Sequence, residues 1–406
     1  MGCFGFQPIE LSTWREKIRK ELGENSENLI YKNKLELVDV DITLKNYRAK
    51  YKTICTNNLN STTKNAALID INDEKEANRI ALYCLNFGAD ALFFSTQKTK
   101  INWDLVLKGI ELDYIRSWFQ VESKIQCDEL LAAVNFNTRS NSTIFAPVDS
   151  LRNFHFNAFY WQQIGSPAYL EIGFLIYEFN HYLINLEKTQ IELSSFIFTL
   201  GLDGNYFIDM AKIRATKYLV HYLLESYEVK PNQIEFHAHV GWSNKSLRDK
   251  NINLLRQTTE VMAAYASNVD AIFNNPSTKL SDIGASDADW RLSLNIMNLL
   301  TEESYFGKVI NPLEGAYIYE QLVDQLVDQS WKLFTDCQEM SKEVFYSVLK
   351  EKTVIVREKK RKKFREKVTT KIGINAFESA ELCQDYRWGK IPKFCEMPYL
   401  ILEKEF

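Results

Sequence analysis

The segment at residues 290–321 reads WRLSLNIMNLLTEESYFGKVINPLEGAYIYEQ and contains two predicted helices joined by a turn. Its first half has apolar side chains at the spacing of one buried helix face, namely Leu292, Ile296, Leu299 and Leu300. A proline- and glycine-containing turn follows at residues 311–315. A second, aromatic-rich helix is predicted from this turn toward Trp331. This succession is compatible with any α/β protein, so the remainder of the chain must define the architecture.

The composition indicates a globular protein. Hydrophobic residues make up 46% and charged residues 25% of the 406 residues, which is typical of a folded chain. The net charge of −4 gives no general attraction to nucleic acid or to an anionic membrane. No apolar run approaches the roughly 20 residues of a membrane-spanning helix, and the N-terminus lacks the order of a secretion signal. Seven scattered cysteines without a Cys-x-x-Cys pair favour free thiols in a reducing cytoplasm.

Residues 1–65 are predicted to form an arm, because the section is too short for a domain. An amphipathic helix is expected over residues 9–22, with a capping box at Thr13 and Glu16. Its apolar stripe consists of Trp14, Ile18 and Leu22. Weakly patterned sequence follows, with a loop at residues 57–65. We expect the arm to lie on the rest of the chain or on a partner.

Short apolar strands alternate with helices from residue 66 onward. Eight strands are predicted, at residues 66–71, 91–95, 114–119, 142–146, 154–160, 195–199, 233–238 and 269–273. Most are separated by predicted helices, at residues 73–87, 103–110, 126–134, 167–186, 205–227 and 249–266. This α/β alternation predicts a (β/α)8 TIM barrel at residues 66–380, with an N-terminal helical arm and a helical C-terminal extension. Residues 381–406 are predicted to form a C-terminal tail.

Two features of this strand pattern leave alternatives open. A doubly wound open sheet is the alternative fold, since counting strands does not establish closure. In addition, the predicted strands at 142–146 and 154–160 are too close in sequence for a full crossover helix between them. Either that unit is degenerate or one of the two strands is wrongly assigned.

Three common catalytic and phosphate-binding motifs are absent from the sequence. There is no phosphate-binding Gly-x-x-x-x-Gly-Lys loop, no Gly-x-Ser-x-Gly elbow and no His-Glu-x-x-His. His237 and His239 occupy alternate positions of a predicted strand and could both face the barrel mouth. A metal site would need a third ligand that the sequence does not identify. The alternatives are polar groups of a ligand-binding mouth or structural histidines.

A basic run occupies residues 357–367. A nucleic-acid patch is conceivable, but acidic residues interrupt the run and the whole chain is acidic. The pattern therefore favours a solvated helix face.

Four segments, taken in order, resemble methylmalonyl-CoA mutases. They are residues 77–94, the helix FIDMAKIRA at 207–215, the segment from His237 to Thr259, and the opening stretch at 290–321. Within them the likeness is carried by Gly241, Trp242, Ser243, Asp249, Asn253, Arg256, Arg291, Asn295, Pro312, Gly315, Tyr317 and Glu320. The arm is similar to that of the small subunits of heterodimeric mutases, and residues 372–377 resemble the segment that closes the mutase barrel. The resemblance implies the same barrel here.

The departures from this family concern its chemistry. Catalytic mutase chains carry a Gly-Tyr-His loop, whereas the matching segment here has Phe159 and Tyr160. Phe159 lacks the hydroxyl donor of the tyrosine in that loop. Tyr160 lacks the imidazole of the histidine, a group that titrates near neutrality. The Tyr-x-x-Arg-Pro-Trp-Thr segment of catalytic chains has no counterpart here. The cobalt-ligand motif requires a histidine followed three positions later by glycine, and none of the five histidines has this spacing. The resemblance therefore implies no catalytic residue, metal or cofactor on this chain.

The resemblance implies a small, structural subunit of a cytoplasmic heterodimer in propionate metabolism. Its large subunit would bind adenosylcobalamin and interconvert methylmalonyl-CoA and succinyl-CoA, or a related acyl-CoA pair. One alternative is the substrate barrel of a split mutase that receives cobalamin from a separate protein. The other is a barrel that has drifted to acyl-CoA binding or to a different hydrolytic or lyase role.

Any surviving small-molecule site is expected at the C-terminal mouth of the barrel. The residues predicted there are Phe159, Tyr160, Gln162, His237, His239, Trp242 and Ser243. The alternative is that these side chains fill a collapsed channel.

Overall fold

A computed structural model describes residues 10–41, 47–51, 63–134, 141–146, 153–192, 194–309, 311–378 and 386–405. The arm consists of helix α1 (Leu11–Leu22), a 3-10 turn (Gly23–Leu29) and a hairpin of β1 (Ile30–Asn33) and β2 (Val38–Asp41). The predicted capping box is wrong, because α1 begins before Thr13 and its N-cap residue, Glu10, makes no side-chain capping bond. Part of the predicted 57–65 loop and the ends of the chain lie outside the described residues.

Eight parallel strands form the central sheet, as predicted. They are β3 (Lys64–Asp70), β4 (Ala91–Ser95), β5 (Arg116–Gln120), β6 (Ser142–Phe145), β7 (Asn153–Asn157), β8 (Ser195–Leu202), β9 (Gln233–Val240) and β10 (Ala271–Phe273). Their order is β6-β5-β4-β3-β10-β9-β8-β7, so the first and last strands of the sheet are consecutive in sequence. This order produces a nearly closed (β/α)8 barrel and confirms the predicted fold.

The barrel has one irregular seam, between β6 and β7. Both predicted strands exist, so the degenerate unit is the correct alternative. No ladder pairs them among the described residues, and the Asn153 side-chain amide instead donates to the carbonyl of Ile144 at 3.0 Å. The predicted strand 154–160 ends earlier than expected, at Asn157, because a short helix begins at Phe159.

Helices cover the outside of the barrel. Those up to β10 are α2 (Glu74–Asn86), α3 (Trp103–Val106), α4 (Lys124–Ala133), α5 (Phe159–Gln163), α6 (Ala168–Asn185), α7 (Lys188–Glu192), α8 (Tyr206–Ser226) and α9 (Lys250–Ala266). They are followed by α10 (Asp287–Glu302), α11 (Tyr317–Cys337) and α12 (Lys342–Arg365). Asp73 caps α2 as predicted, by accepting the backbone N–H of Glu76. No helix among the described residues is both long enough and apolar enough to span a membrane.

The opening stretch forms α10, a turn and the start of α11, as the sequence predicts. The predicted buried face is partly wrong. Ile296 and Leu300 are buried, but Leu292 and Leu299 are 43% and 48% exposed. Leu294 and Met297 take their places in the core, because the buried face of α10 is rotated relative to the predicted one. Two apolar side chains of α10 therefore face outward.

The hairpin of the arm packs on α11. Val38 and Val40 are fully buried, and the side chain of Gln325 both accepts from and donates to the backbone of Asp39. The arm helix α1 is different, since Trp14 and Leu22 of its apolar stripe are exposed. The arm thus lies on the barrel through its hairpin and leaves the helix stripe uncovered.

The C-terminal residues 388–405, here called the strap, cross the mouth of the barrel. The strap contains the short strands β11 (Lys393–Phe394) and β12 (Met397–Pro398) and ends in a 3-10 turn (Leu402–Glu405). Its backbone donates from Leu400 to the carbonyl of Gln163 and from Leu402 to that of Ser243. The strap is therefore fixed to the loops that follow the barrel strands.

Candidate functional site

A cavity of about 510 Å³ lies at the C-terminal mouth of the barrel, beneath the strap. Its aromatic lining comes from both the barrel and the strap and consists of Phe93, Phe159, Tyr160, Trp242, Phe394 and Tyr399. Its polar lining includes Asp70, Gln120, His155, His239 and Lys279. This cavity, here called the mouth cavity, is of the size that holds small ligands in other proteins.

The predicted mouth residues separate into three groups. Phe159, Tyr160, His239 and Trp242 line the mouth cavity. Gln162 and Ser243 instead line a second cavity on the other side of the strap, which we call the side cavity. His237 lines neither of these two cavities and is fully buried inside the barrel. The structure thus brings together four of the seven predicted residues.

Phe159 and Tyr160 lie on α5, the short helix that follows β7. Phe159 is 4% exposed, and its ring centroid lies 5.2 Å from that of His239 and 6.0 Å from that of Trp242. Tyr160 is 37% exposed and stacks on Phe394 of the strap at 5.5 Å. The segment therefore supplies packing between barrel and strap at the position where the resemblance expects a reacting loop.

His237 and His239 point to the same side of β9, as their alternate positions predict. They lie at successive depths of the barrel, with ring centroids 5.5 Å and 4.1 Å from that of Phe273. His237 contacts a carboxylate oxygen of Glu235 at 2.9 Å, whereas both ring nitrogens of His239 are buried without a hydrogen-bond partner. Among the described residues, no group of three or more His, Cys, Asp or Glu could hold a metal ion.

Aromatic side chains fill the barrel below the mouth cavity. Phe93, Trp118 and Phe145 are buried there with Phe273, and the ring of Phe93 lies 6.0–6.3 Å from the other three. At the bottom, Glu235 accepts from Arg116 at 2.6 Å and from the indole N–H of Trp118 at 2.9 Å. Burial opposes ionisation of Glu235, but His237 and Arg116 together lower its pKa to about 2. The barrel axis is thus a packed core.

The histidines of the mouth cavity are poor proton donors and acceptors at neutral pH. Burial lowers the pKa of His155 to about 3, and burial also places the pKa of His239 well below its usual value. Burial raises the pKa of Tyr160, and the neighbouring charge of Asp70 adds to this. General acid–base catalysis is most efficient when the pKa lies near the working pH. These three groups are therefore poorly suited to that role.

Sequence reasoning missed three contributors to the mouth cavity. Lys279 pairs with Asp70 at 2.9 Å, His155 contacts the hydroxyl of Thr199 at 2.8 Å, and the strap supplies the roof. Asp70 ends β3 and Lys279 follows β10, and these strands are neighbours in the sheet. A rule that examines the last residue of each barrel strand together with the loop that follows it could have found the ion pair.

The residues that carry the likeness to the mutases mostly hold elements together. Arg214 of α8 donates to Glu320 of α11 at 2.9 Å, and both side chains are buried. Lys212 contacts Glu171 of α6 at 3.1 Å. Asn253 of α9 accepts the backbone N–H of Ser246 at 3.0 Å. These motif residues therefore have clear structural roles.

The sequence profile of the family described as methylmalonyl-CoA mutase matches residues 125–393, which is about two thirds of the chain. This chain belongs to the methylmalonyl-CoA mutase family. The match includes β6–β10, α5 and the first third of the strap. The family assignment therefore rests on the barrel that forms the mouth cavity.

Individual relatives agree with this assignment. The methylmalonyl-CoA mutase small subunit of Porphyromonas gingivalis is 29% identical over 310 residues, covering 65% of this chain and 50% of the relative. The large subunit of the same organism is 26% identical over 191 residues, covering 45% and 27%. The mitochondrial methylmalonyl-CoA mutase of Bos taurus is 26% identical over 192 residues, covering 45% and 26%. The chain thus spans half or less of the length of these relatives.

Among solved structures, Yersinia pestis DHPS with a pterine–sulfa conjugate aligns with a TM-score of 0.30 and 10% identity. The alignment covers 61% of this chain and 95% of the other. This likeness is too weak to inform on function.

Proposed function

We propose that this chain is a small, structural subunit of a methylmalonyl-CoA mutase. Its partner is a large subunit that binds adenosylcobalamin and carries out the isomerisation of methylmalonyl-CoA and succinyl-CoA. The observation that carries the proposal is the buried Phe159, which packs against His239 where catalytic mutase chains place polar groups. The likeness to the P. gingivalis small subunit supports the same role.

The covered mouth also supports a structural role. Substrate or cofactor would have to approach from the end of the barrel that the strap crosses. Glu403 holds this strap in place by accepting from the hydroxyl of Ser246 and from the backbone of Leu247 and Arg248. Losing the hydrogen bonds to a buried carboxylate costs free energy, so the strap is a firmly attached part of the fold.

Exposed apolar side chains support a permanent partner. Trp14 and Leu22 form an uncovered stripe on α1, and Leu292 and Leu299 lie exposed on α10. Apolar groups grouped on one helix face are typical of interaction surfaces. We therefore place the contact with the large subunit on α1 and on the outer face of α10.

Co-expression with a candidate large subunit tests this proposal. We expect the two chains to copurify and the complex to require cobalamin for activity. Replacing the stripe by Trp14→Gln with Leu22→Gln should reduce the yield of complex at least fivefold. The matched control, Glu16→Gln with Lys20→Gln, changes two exposed polar positions of the same helix and should leave the yield within twofold. A chain that stays separate from every candidate large subunit would contradict the proposal.

A second candidate function is acyl-CoA binding without rearrangement. The observation that favours it is the mouth cavity, where His239 has two unpartnered ring nitrogens and aromatic side chains form much of the lining. Calorimetry of the isolated chain with CoA esters separates the two functions. Saturable binding that His239→Leu abolishes would favour acyl-CoA binding, and the structural role predicts no such binding.

A further inference from the structure

The side cavity lies outside the barrel mouth and encloses about 520 Å³. Its walls come from the arm hairpin, the loop after β8 and helix α12, and Leu400 and Leu402 of the strap separate it from the mouth. The basic run at 357–367 contributes to it directly. This run is therefore more than the solvated helix face that the sequence favours.

The basic run has two structural roles. Arg357 donates to the carbonyl of Pro398 at 2.8 Å, and Arg361 pairs with Glu405 at 2.7 Å, so these two residues hold the strap. Lys360 and Lys363 instead line the side cavity. Some residues of the basic run therefore hold the strap in place, and others line the side cavity.

Positive charge predominates in the lining of the side cavity. Four lysines line it, namely Lys32, Lys360, Lys363 and Lys371, against the two carboxylates of Glu36 and Asp203. Both carboxylates lie close to the same lysine, since Lys360 Nζ is 3.9 Å from Glu36 and 3.8 Å from Asp203. The other three lysines take part in no ion pair within the part of the chain that the structure describes. Three of the four lysines therefore line the cavity outside these two ion pairs.

The charged groups around the side cavity act on one another electrostatically. Burial lowers the pKa of Lys371, the charges of Asp203 and Glu260 oppose this shift, and the charges of Arg256 and Lys360 add to it. Burial also raises the pKa of Glu36, although Lys360 opposes this shift. An anion among the lysines would relieve the repulsion between them. The remaining lining is rich in uncharged polar groups, including Asn205, Tyr206 and Thr369.

We propose that the side cavity binds a phosphate-bearing small molecule of the diphosphate class. Lysine ammonium groups spread over several elements suit phosphate oxygens, which can be contacted from many directions. The cavity lies within the range of roughly 300–1,000 Å³ of small-molecule sites, so it has room for more than a single phosphate group. This inference is independent of the structural role proposed for the barrel, because none of the four lysines lines the mouth cavity.

Calorimetry of the full chain with inorganic pyrophosphate tests the inference. We expect saturable binding that weakens as the salt concentration rises, since the contacts are electrostatic. The double variant Lys363→Gln with Lys371→Gln should weaken binding at least tenfold. The matched control, Lys359→Gln with Lys362→Gln, removes the same charge from exposed positions of α12 and should weaken it less than twofold.

Two outcomes would overturn the inference. One is the absence of saturable binding to the native chain at low salt. The other is an equal loss of affinity in the control and test variants, which would show attraction to the overall charge of the helix. Thermal unfolding of each variant verifies that it is folded, and the single variant Lys363→Gln replaces the double variant if the latter is unfolded.

Discussion

The buried ion pairs around α8 and the mouth cavity differ in how their polar groups are satisfied. Two buried cations of α8 have carboxylate partners, in the pairs Arg214–Glu320 at 2.9 Å and Lys212–Glu171 at 3.1 Å. At the mouth, His239 has no hydrogen-bond partner, and Phe159 packs on it. Because α8 and the opening stretch carry much of the likeness to mutases, that likeness is evidence for the fold more than for activity.

The largest loss of stability is expected when a buried ion pair of α8 is broken. Replacing Arg214 by Ala leaves the Glu320 carboxylate buried and unpaired, which should cost about 3–5 kcal/mol of unfolding free energy. Chemical denaturation measures this loss. The control is Arg79→Ala, whose pairs with Glu76 and Asp287 are half exposed, and it should cost no more than about 1 kcal/mol. Equal losses in the two variants would remove the distinction between the regions.

An intermediate change in stability, which depends on pH, is expected from His239 in the mouth cavity. The pKa of His239 in the folded chain lies well below its usual value, so the unfolded chain binds the proton first as the pH falls. The stability contributed by this neutral histidine is therefore complete above about pH 6.5 and is lost toward acidic pH.

The variant His239→Leu has no imidazole at this position and therefore cannot take up this proton in the unfolded state. From pH 7 to pH 5, the native chain should lose about 2 kcal/mol of unfolding free energy more than this variant does. Denaturation curves at the two pH values give the comparison, and the shifts of other groups cancel between the two chains. Parallel losses would show that His239 titrates normally in the folded protein.

The smallest effect is expected at the exposed face of α10. Leu292→Gln with Leu299→Gln should change the stability of the isolated chain by less than about 0.5 kcal/mol per site, because both side chains are exposed. The same double variant should reduce the yield of complex with the large subunit, as measured by copurification. A large loss of stability in the isolated chain would instead place these residues in the core.

The barrel could be predicted from the sequence because most strands are short apolar runs between helical segments, and local patterns of this kind are set by burial. It was insufficient for the strap. Residues 388–405 have little regular periodicity, and their position depends on contacts such as the hydrogen bond from Leu402 to Ser243, which are distant in sequence.

The candidate site was predicted only in part for the same reason. Strand alternation correctly placed His237 and His239 on one side of β9, but it could not give their depth in the barrel. The short helix α5 redirected Gln162 toward the side cavity, and Trp242 and Ser243 are separated by the path of the strap.

The most direct test of the central claim is the mutase activity of a purified complex in which this chain carries Tyr160→Phe and His239→Leu. The complex is formed with the large subunit and cobalamin, and the conversion of methylmalonyl-CoA to succinyl-CoA is measured per large subunit. A structural role predicts activity within twofold of the native complex at an equal yield of complex. A loss of a hundredfold or more at that yield would contradict it and would identify the mouth of this chain as an active site.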